Sequence, residues 1–191
     1  MKKISLALLA MSVIAASGSA LAAPTPAGGG QISFTGEINN DACSVDGTTG
    51  KNKTIAFDLG NVSLKDMGTD TDPGAGRLSA SDINLSINCN AGTKVTLQFD
   101  ATKGGATVVP GKKVLGLQGS DAAKGVGIAI MDQSGQVIDL STPASAEISS
   151  NLNNGDATLA FSAAYVKTTN DVQVLKAGSG NAILPFSLSY E

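Results

Sequence analysis

Short runs in which every second residue is apolar, each closed by a cluster of Gly, Asn, Asp or Ser, recur along this chain and restrict it to β-structure. The clearest is residues 94–100 (KVTLQFD), where Val95, Leu97 and Phe99 alternate with Lys94, Thr96, Gln98 and Asp100. A strand turns successive side chains to opposite faces, so this spacing gives one apolar and one polar face; a helix would scatter the same residues around its surface. Residues 82–89 (DINLSINC) phase Ile83, Leu85, Ile87 and Cys89, and residues 53–59 (KTIAFDL) phase Ile55, Phe57 and Leu59. Residues 125–131 (GVGIAIM) align Val126, Ile128 and Ile130 and run through the turn 132–135 (DQSG) into 136–140, which reads as a hairpin. Residues 157–167 (ATLAFSAAYVK) carry Leu159, Phe161, Ala163 and Tyr165 on one side. Many short strands between turn clusters predict an all-β sandwich.

Both ends of the chain carry the same pattern. Residues 181–190 read as the last strand, and within 183–191 (ILPFSLSYE) Phe186, Leu188 and Tyr190 share one face. Residues 31–38 (QISFTGEI) place Ile32, Phe34, Gly36 and Ile38 on one face and Ser33, Thr35 and Glu37 on the other. Ahead of them, residues 23–30 (APTPAGGG) are rich in Pro and Gly and predict a mobile arm. Strands at both ends point to a protein that completes its neighbour's sheet. The same residues also suit the first strand of a self-contained sandwich, with Tyr190 an ordinary core residue near the end and Gly36 a bulge.

The first 22 residues have a different character. Met1-Lys2-Lys3 gives a positive start, residues 4–16 (ISLALLAMSVIAA) are uncharged and mostly apolar, and Ala20-Leu21-Ala22 offers a small-x-small cleavage site. The apolar run is too short to span a bilayer, so residues 1–22 are expected to be a signal peptide cleaved after Ala22. That leaves 169 of the 191 residues, a length suited to one domain. The leader takes two lysines and no acids with it, so the 13 basic residues fall to 11 against 16 acidic ones, a balance of −5. With no Lys/Arg cluster, a nucleic-acid partner is not expected. No later apolar run has the length for membrane insertion.

The chemistry available is sparse. The chain has no His, the commonest general base near neutral pH. Asp66, Asp70 and Asp72 lie in one loop without a nucleophile motif, so no enzyme is expected. A calcium loop at residues 68–76 lacks the expected terminal Glu, and neither a metal nor a cofactor is expected. The two cysteines, Cys43 and Cys89, sit in a chain routed out of the cytoplasm, where a disulfide is the simplest use for them. Closing a loop of about 46 residues restricts the unfolded chain by roughly 4 kcal/mol in the chain-entropy picture. Metal binding by the pair is the weaker reading, because two thiols without His make an incomplete ligand set.

Residues 28–47 (GGGQISFTGEINNDACSVDG), residues 160–168 (AFSAAYVKT) and the penultimate Tyr190 together resemble the pilin subunits of type 1 and P-like fimbriae assembled by the chaperone/usher pathway. The resemblance covers the whole chain beyond the leader. It implies an incomplete immunoglobulin-like sandwich that lacks its final strand and is completed by a donor strand from a neighbouring subunit. It implies an arm at residues 23–42 and a pilin domain at 43–191. In this reading Ile32, Phe34, Gly36 and Ile38 form the inserting face of the donor, and Phe186, Leu188, Tyr190 and Tyr165 belong to the acceptor groove and to chaperone recognition. Gly36 matches a position where a side chain would obstruct insertion. The implied partners are other copies of the chain, a periplasmic chaperone and an outer-membrane usher. The implied destination is a fimbria on the cell surface, reached through the periplasm, with length and cysteine spacing like those of a main shaft subunit. The alternative is a self-contained secreted β-sandwich that binds carbohydrate.

An exposed sheet edge of this kind must be covered, and strand addition covers it. Eight donor residues reach about 26 Å at roughly 3.3 Å each, the length of a long sandwich strand. Burying Ile32, Phe34 and Ile38 contributes on the order of 5 to 9 kcal/mol as an upper estimate, and each ladder hydrogen bond adds roughly 0.5–1.5 kcal/mol.

Overall fold

Two β-sheets pack face to face, each built from strands whose inward positions are the apolar halves of the alternating runs. A computed structural model describes residue 33 and residues 43–46, 54–76 and 81–191. The expected leader and the expected donor face of Ile32, Phe34, Gly36 and Ile38 lie outside the described residues. The strands in chain order are β1 (Cys43–Val45), β2 (Gly68–Thr69), β3 (Ser81–Cys89), β4 (Lys94–Phe99), β5 (Leu115–Gly116), β6 (Val126–Met131), β7 (Glu147–Asn151), β8 (Asp156–Lys167) and β9 (Phe186–Tyr190). The helical elements among the described residues are three short 3-10 turns at Leu64–Asp66, Pro73–Ala75 and Pro143–Ser145.

The larger sheet has the order β1-β3-β8-β6-β5, with β2 added parallel to the end of β8. Its centre is β8, paired antiparallel to β3 from Asp156 to Ala163 and to β6 from Ser162 to Lys167. The smaller sheet has the order β7-β4-β9. The alternation expected for β3, β4 and β8 is present: Ile83, Leu85, Ile87 and Cys89 of β3, Val95, Leu97 and Phe99 of β4, and Leu159, Phe161 and Ala163 of β8 are all buried in one core between the sheets. Phe99 and Phe161 meet edge to face across the layers, ring centroids 5.5 Å apart. Such a pair adds about 0.5–1.5 kcal/mol beyond the area it buries.

Cys43 and Cys89 are disulfide-bonded and lie opposite each other in the β1–β3 ladder. Asp46 follows β1 at a φ of 47°, and its carboxylate accepts the Ser86 amide at 2.7 Å, extending the hold of β1 on β3.

Three expectations are corrected. Residues 53–59 were expected to be a strand; residues 54–63 belong to no ladder, and Gly60 among them has a φ of 72°. Ile55 and Leu59 still turn towards the core, while Phe57 stands 48% exposed. Alternation reports which side of a segment is apolar, whereas a strand also needs a backbone neighbour, and none of the described residues provides one. The last strand begins at Phe186 rather than at residue 181, because Pro185 has no amide to donate to a ladder. The return limb of the 125–140 hairpin is only a bridge, Met131 to Val137, with the Ile138 amide donating to the Ile130 carbonyl at 2.8 Å. Its turn is as expected: the Asp132 carboxylate accepts the Ser134 and Gln136 amides and the Ser134 hydroxyl. β6 is buried on both faces, since Ala129 packs outward with Val114 and Val166 in a second small cluster.

Candidate functional site: the open edge of the smaller sheet

β9 lies at the edge of its sheet and pairs, among the described residues, with β4 alone. The register sets Phe186 opposite Phe99, Leu188 opposite Leu97 and Tyr190 opposite Val95. These pairs share a face, yet Val95 and Leu97 are fully buried while Phe186 and Leu188 are only half-buried and Tyr190 is 47% exposed. Cover over the core is therefore lost within one strand spacing. The inward row continues upstream of β9 through Leu184 and Ala182, which also pack on the main core. Ile183 points the other way and is 58% exposed.

Both ends of β9 are fixed by the chain on its closed side. The Asp100 amide donates to the Pro185 carbonyl at 2.9 Å, and a Cβ on Gly104 would lie 2.9 Å from the Pro185 ring. At the far end the Glu191 amide donates to the Lys94 carbonyl at 2.9 Å, and the Thr93 amide and hydroxyl donate back to the Glu191 carbonyl. The Asp100 carboxylate accepts from the Thr102 amide and hydroxyl and pairs with the Lys103 ammonium at 2.7 Å. Those contacts, the Lys103 hydrogen bond foremost, hold the Asp100 carboxyl down to about 2. A β9 held at both ends, with one ladder formed and no partner on its other side among the described residues, can accept an added strand with little reordering of its own backbone.

Three of the four expected acceptor residues, Phe186, Leu188 and Tyr190, are thus brought together on β9. The fourth, Tyr165, is on β8 in the opposite sheet, opposite Ile128 of β6. Its hydroxyl donates to the Gly180 carbonyl at 3.1 Å, and a Cβ on Gly180 would collide with that hydroxyl. Burial, and after it the charge of Asp58, push the Tyr165 hydroxyl pKa up. Ala182 and Leu184 continue the half-covered apolar margin of β9 and were not assigned to it from sequence, while Ile55 and Leu59 also pack on the main core. The signal was present for Leu184, which continues the Phe186 phase, but Pro185 interrupts the run. For Ile55 and Leu59, alternation was visible and location was not.

Among the described residues no group of three or more His, Cys, Asp or Glu is placed to hold a metal ion. No helix among them is long and apolar enough to cross a membrane.

The model of the fimbrial protein family matches residues 32–191. The chain is 34% identical to the major MR/P fimbria protein of Proteus mirabilis, covering 100% of this chain and 99% of that one. It is 31% identical to the type-1 fimbrial protein, A chain, of Escherichia coli, with 100% of each chain covered. Among solved structures it resembles a chaperone–usher pilus subunit at 22% identity and a TM-score of 0.55, over 88% of this chain and 100% of that one. It also resembles the P pilus rod subunit PapA at 18% identity and a TM-score of 0.54, over 79% and 100%. The two-sheet architecture is thus that of the immunoglobulin-like pilins, and the chain belongs to the fimbrial protein family and is a structural subunit of a fimbria.

Proposed function

We propose that this subunit polymerises by donor-strand exchange, residues 31–38 of one copy adding to the open edge of β9 in the next. The observation that carries the reading is the loss of cover between β4 and β9: Leu97 is fully buried and Leu188, directly opposite, is not. The donor face is Ile32, Phe34, Gly36 and Ile38, and the acceptor margin is Phe186, Leu188 and Tyr190, with Tyr165 bracing the Gly180 loop ahead of it. Residues 1–22 direct export and are removed, residues 23–42 are the arm, and residues 43–191 are the pilin domain. A periplasmic chaperone covers the edge before assembly, and an outer-membrane usher passes subunits to the cell surface. The polymer contact is apolar burial plus ladder hydrogen bonds, with no catalytic step.

The test is co-expression with a cognate chaperone and electrophoresis in SDS without boiling. A ladder of resistant multimers is expected from the wild-type chain. Gly36→Trp is expected to abolish the ladder while leaving the chaperone-bound subunit intact. Deletion of residues 23–38 should give a subunit that accepts a donor and cannot act as one; long fibres from it would overturn the assignment of the arm.

A further inference from the structure

We propose that Asn154 is a site of spontaneous deamidation in the folded subunit, through attack by the Gly155 backbone nitrogen. Asn154 is the one Asn in the chain followed by Gly. The pair forms the two-residue turn between β7 and β8, at φ of 53° and 88°. Two positive φ values are what a type I′ hairpin turn demands, so the turn itself favours the sequence that is chemically most vulnerable. Gly155 has no substitute there: a Cβ on it would lie 2.5 Å from the Cys89 carbonyl oxygen.

The surroundings leave the reacting atoms accessible. Asn154 is exposed, and its side chain makes no hydrogen bond with the described residues. The turn is closed by the Asn153 amide donating to the Asp156 carbonyl at 2.8 Å and the Asp156 amide donating to the Asn153 carbonyl at 3.0 Å. The Gly155 carbonyl is occupied by the Cys89 amide at 2.8 Å, whereas the Gly155 amide donates to nothing among the described residues. Its nitrogen is free to attack the Asn154 side-chain carbonyl carbon, losing its proton as the side-chain nitrogen leaves as ammonia. The cyclic imide then takes up one water. Opening at one carbonyl gives Asp, and opening at the other gives isoaspartate with the backbone routed through the former side chain.

Either product adds one negative charge to a polar cleft lined by Ser86, Asn151, Asn153, Asn154, Asp156 and Thr158. That charge arrives two residues from Asp156, whose carboxylate accepts from the Asn88 side chain at 2.7 Å. Isoaspartate also lengthens the backbone inside a turn whose next carbonyl is bonded beside the disulfide.

The experiment incubates the purified folded protein at mildly alkaline pH beside a urea-unfolded sample, and reads charge by isoelectric focusing and isoaspartate by enzymatic methylation and peptide mapping. The folded wild type is expected to accumulate a species one charge more acidic, with isoaspartate mapped to the peptide containing residues 154–155. Asn154→Gly keeps the left-handed turn and removes the amide, and is expected to abolish that species. If the unfolded chain converts at Asn154 while the folded chain stays unchanged over the same interval, the turn protects the site and the proposal is wrong. An acidic species of equal yield in Asn154→Gly overturns it as well.

Discussion

Phe161 stands where three features of the fold meet: the alternation of β8, its pairing with Ile83 of β3, and the edge-to-face contact with Phe99 of the other sheet. Truncation there removes the ring that spans the layers and leaves a cavity that tightly packed neighbours cannot fill. Phe161→Ala is expected to lower stability by about 3–5 kcal/mol, read as a drop in the denaturant midpoint at unchanged slope. The disulfide acts through the unfolded state instead. Replacing Cys43 and Cys89 together by Ser is expected to cost about 2–5 kcal/mol under oxidising conditions, and to make the variant's unfolding insensitive to added reductant while the wild type falls to meet it. The residues behind both predictions were legible in the sequence, because burial at every second position and the presence of only two cysteines leave few alternatives.

At the scale of elements, legibility depended on whether a strand's inward face was apolar throughout. β3, β4 and β8 fit that description and matched their expected phases. β7 did not: in Glu147–Asn151 only Ile148 is buried, so the segment carries one apolar residue and no period to read. It is a strand because β4 offers it a ladder, with Ile148 opposite Leu97. Residues 54–63 show the reverse case, a period without a ladder. The same distinction makes β9 testable against β4. Leu97→Ala is expected to destabilise the isolated subunit by about 2–5 kcal/mol, as for any buried leucine. Leu188→Ala, half-covered in the isolated chain, is expected to cost the subunit clearly less and to weaken the SDS-resistant ladder more than Leu97→Ala does per unit of lost subunit stability. Equal effects of the two substitutions on the ladder, once scaled by stability, would remove Leu188 from the polymer contact.

Among the described residues the charged side chains are mostly exposed, and those with shifted acidity are carboxylates that cap turns. Asp100 is held down to about 2, first by the Lys103 hydrogen bond and then by Thr102. Asp132 is lowered chiefly by the Ser134 hydroxyl and Asp139 chiefly by the Ser141 hydroxyl. A carboxyl whose folded value lies below its ordinary value of 3.8 binds its proton more weakly in the native state than in the unfolded chain. Its stabilising contribution is therefore complete above the ordinary value and is lost as the pH falls through the folded one. For Asp100 that window runs from about pH 4 down to about pH 2. The loss has a location, because the Asp100 amide holds Pro185 at the entry to β9 and the Asp100 carboxylate shapes the turn that presents it. Acidification over that window is thus expected to lower the thermal midpoint of the isolated subunit and to loosen the start of β9 before the β3–β8 centre, read as earlier loss of amide protection at residues 186–188 than at 159–161. Asp100→Asn should flatten the pH dependence across the same window, while leaving the contribution of Asp132 and Asp139. A thermal midpoint equally steep between pH 4 and pH 2 in that variant would show that the Asp100–Lys103 turn does not set the acid response of this edge.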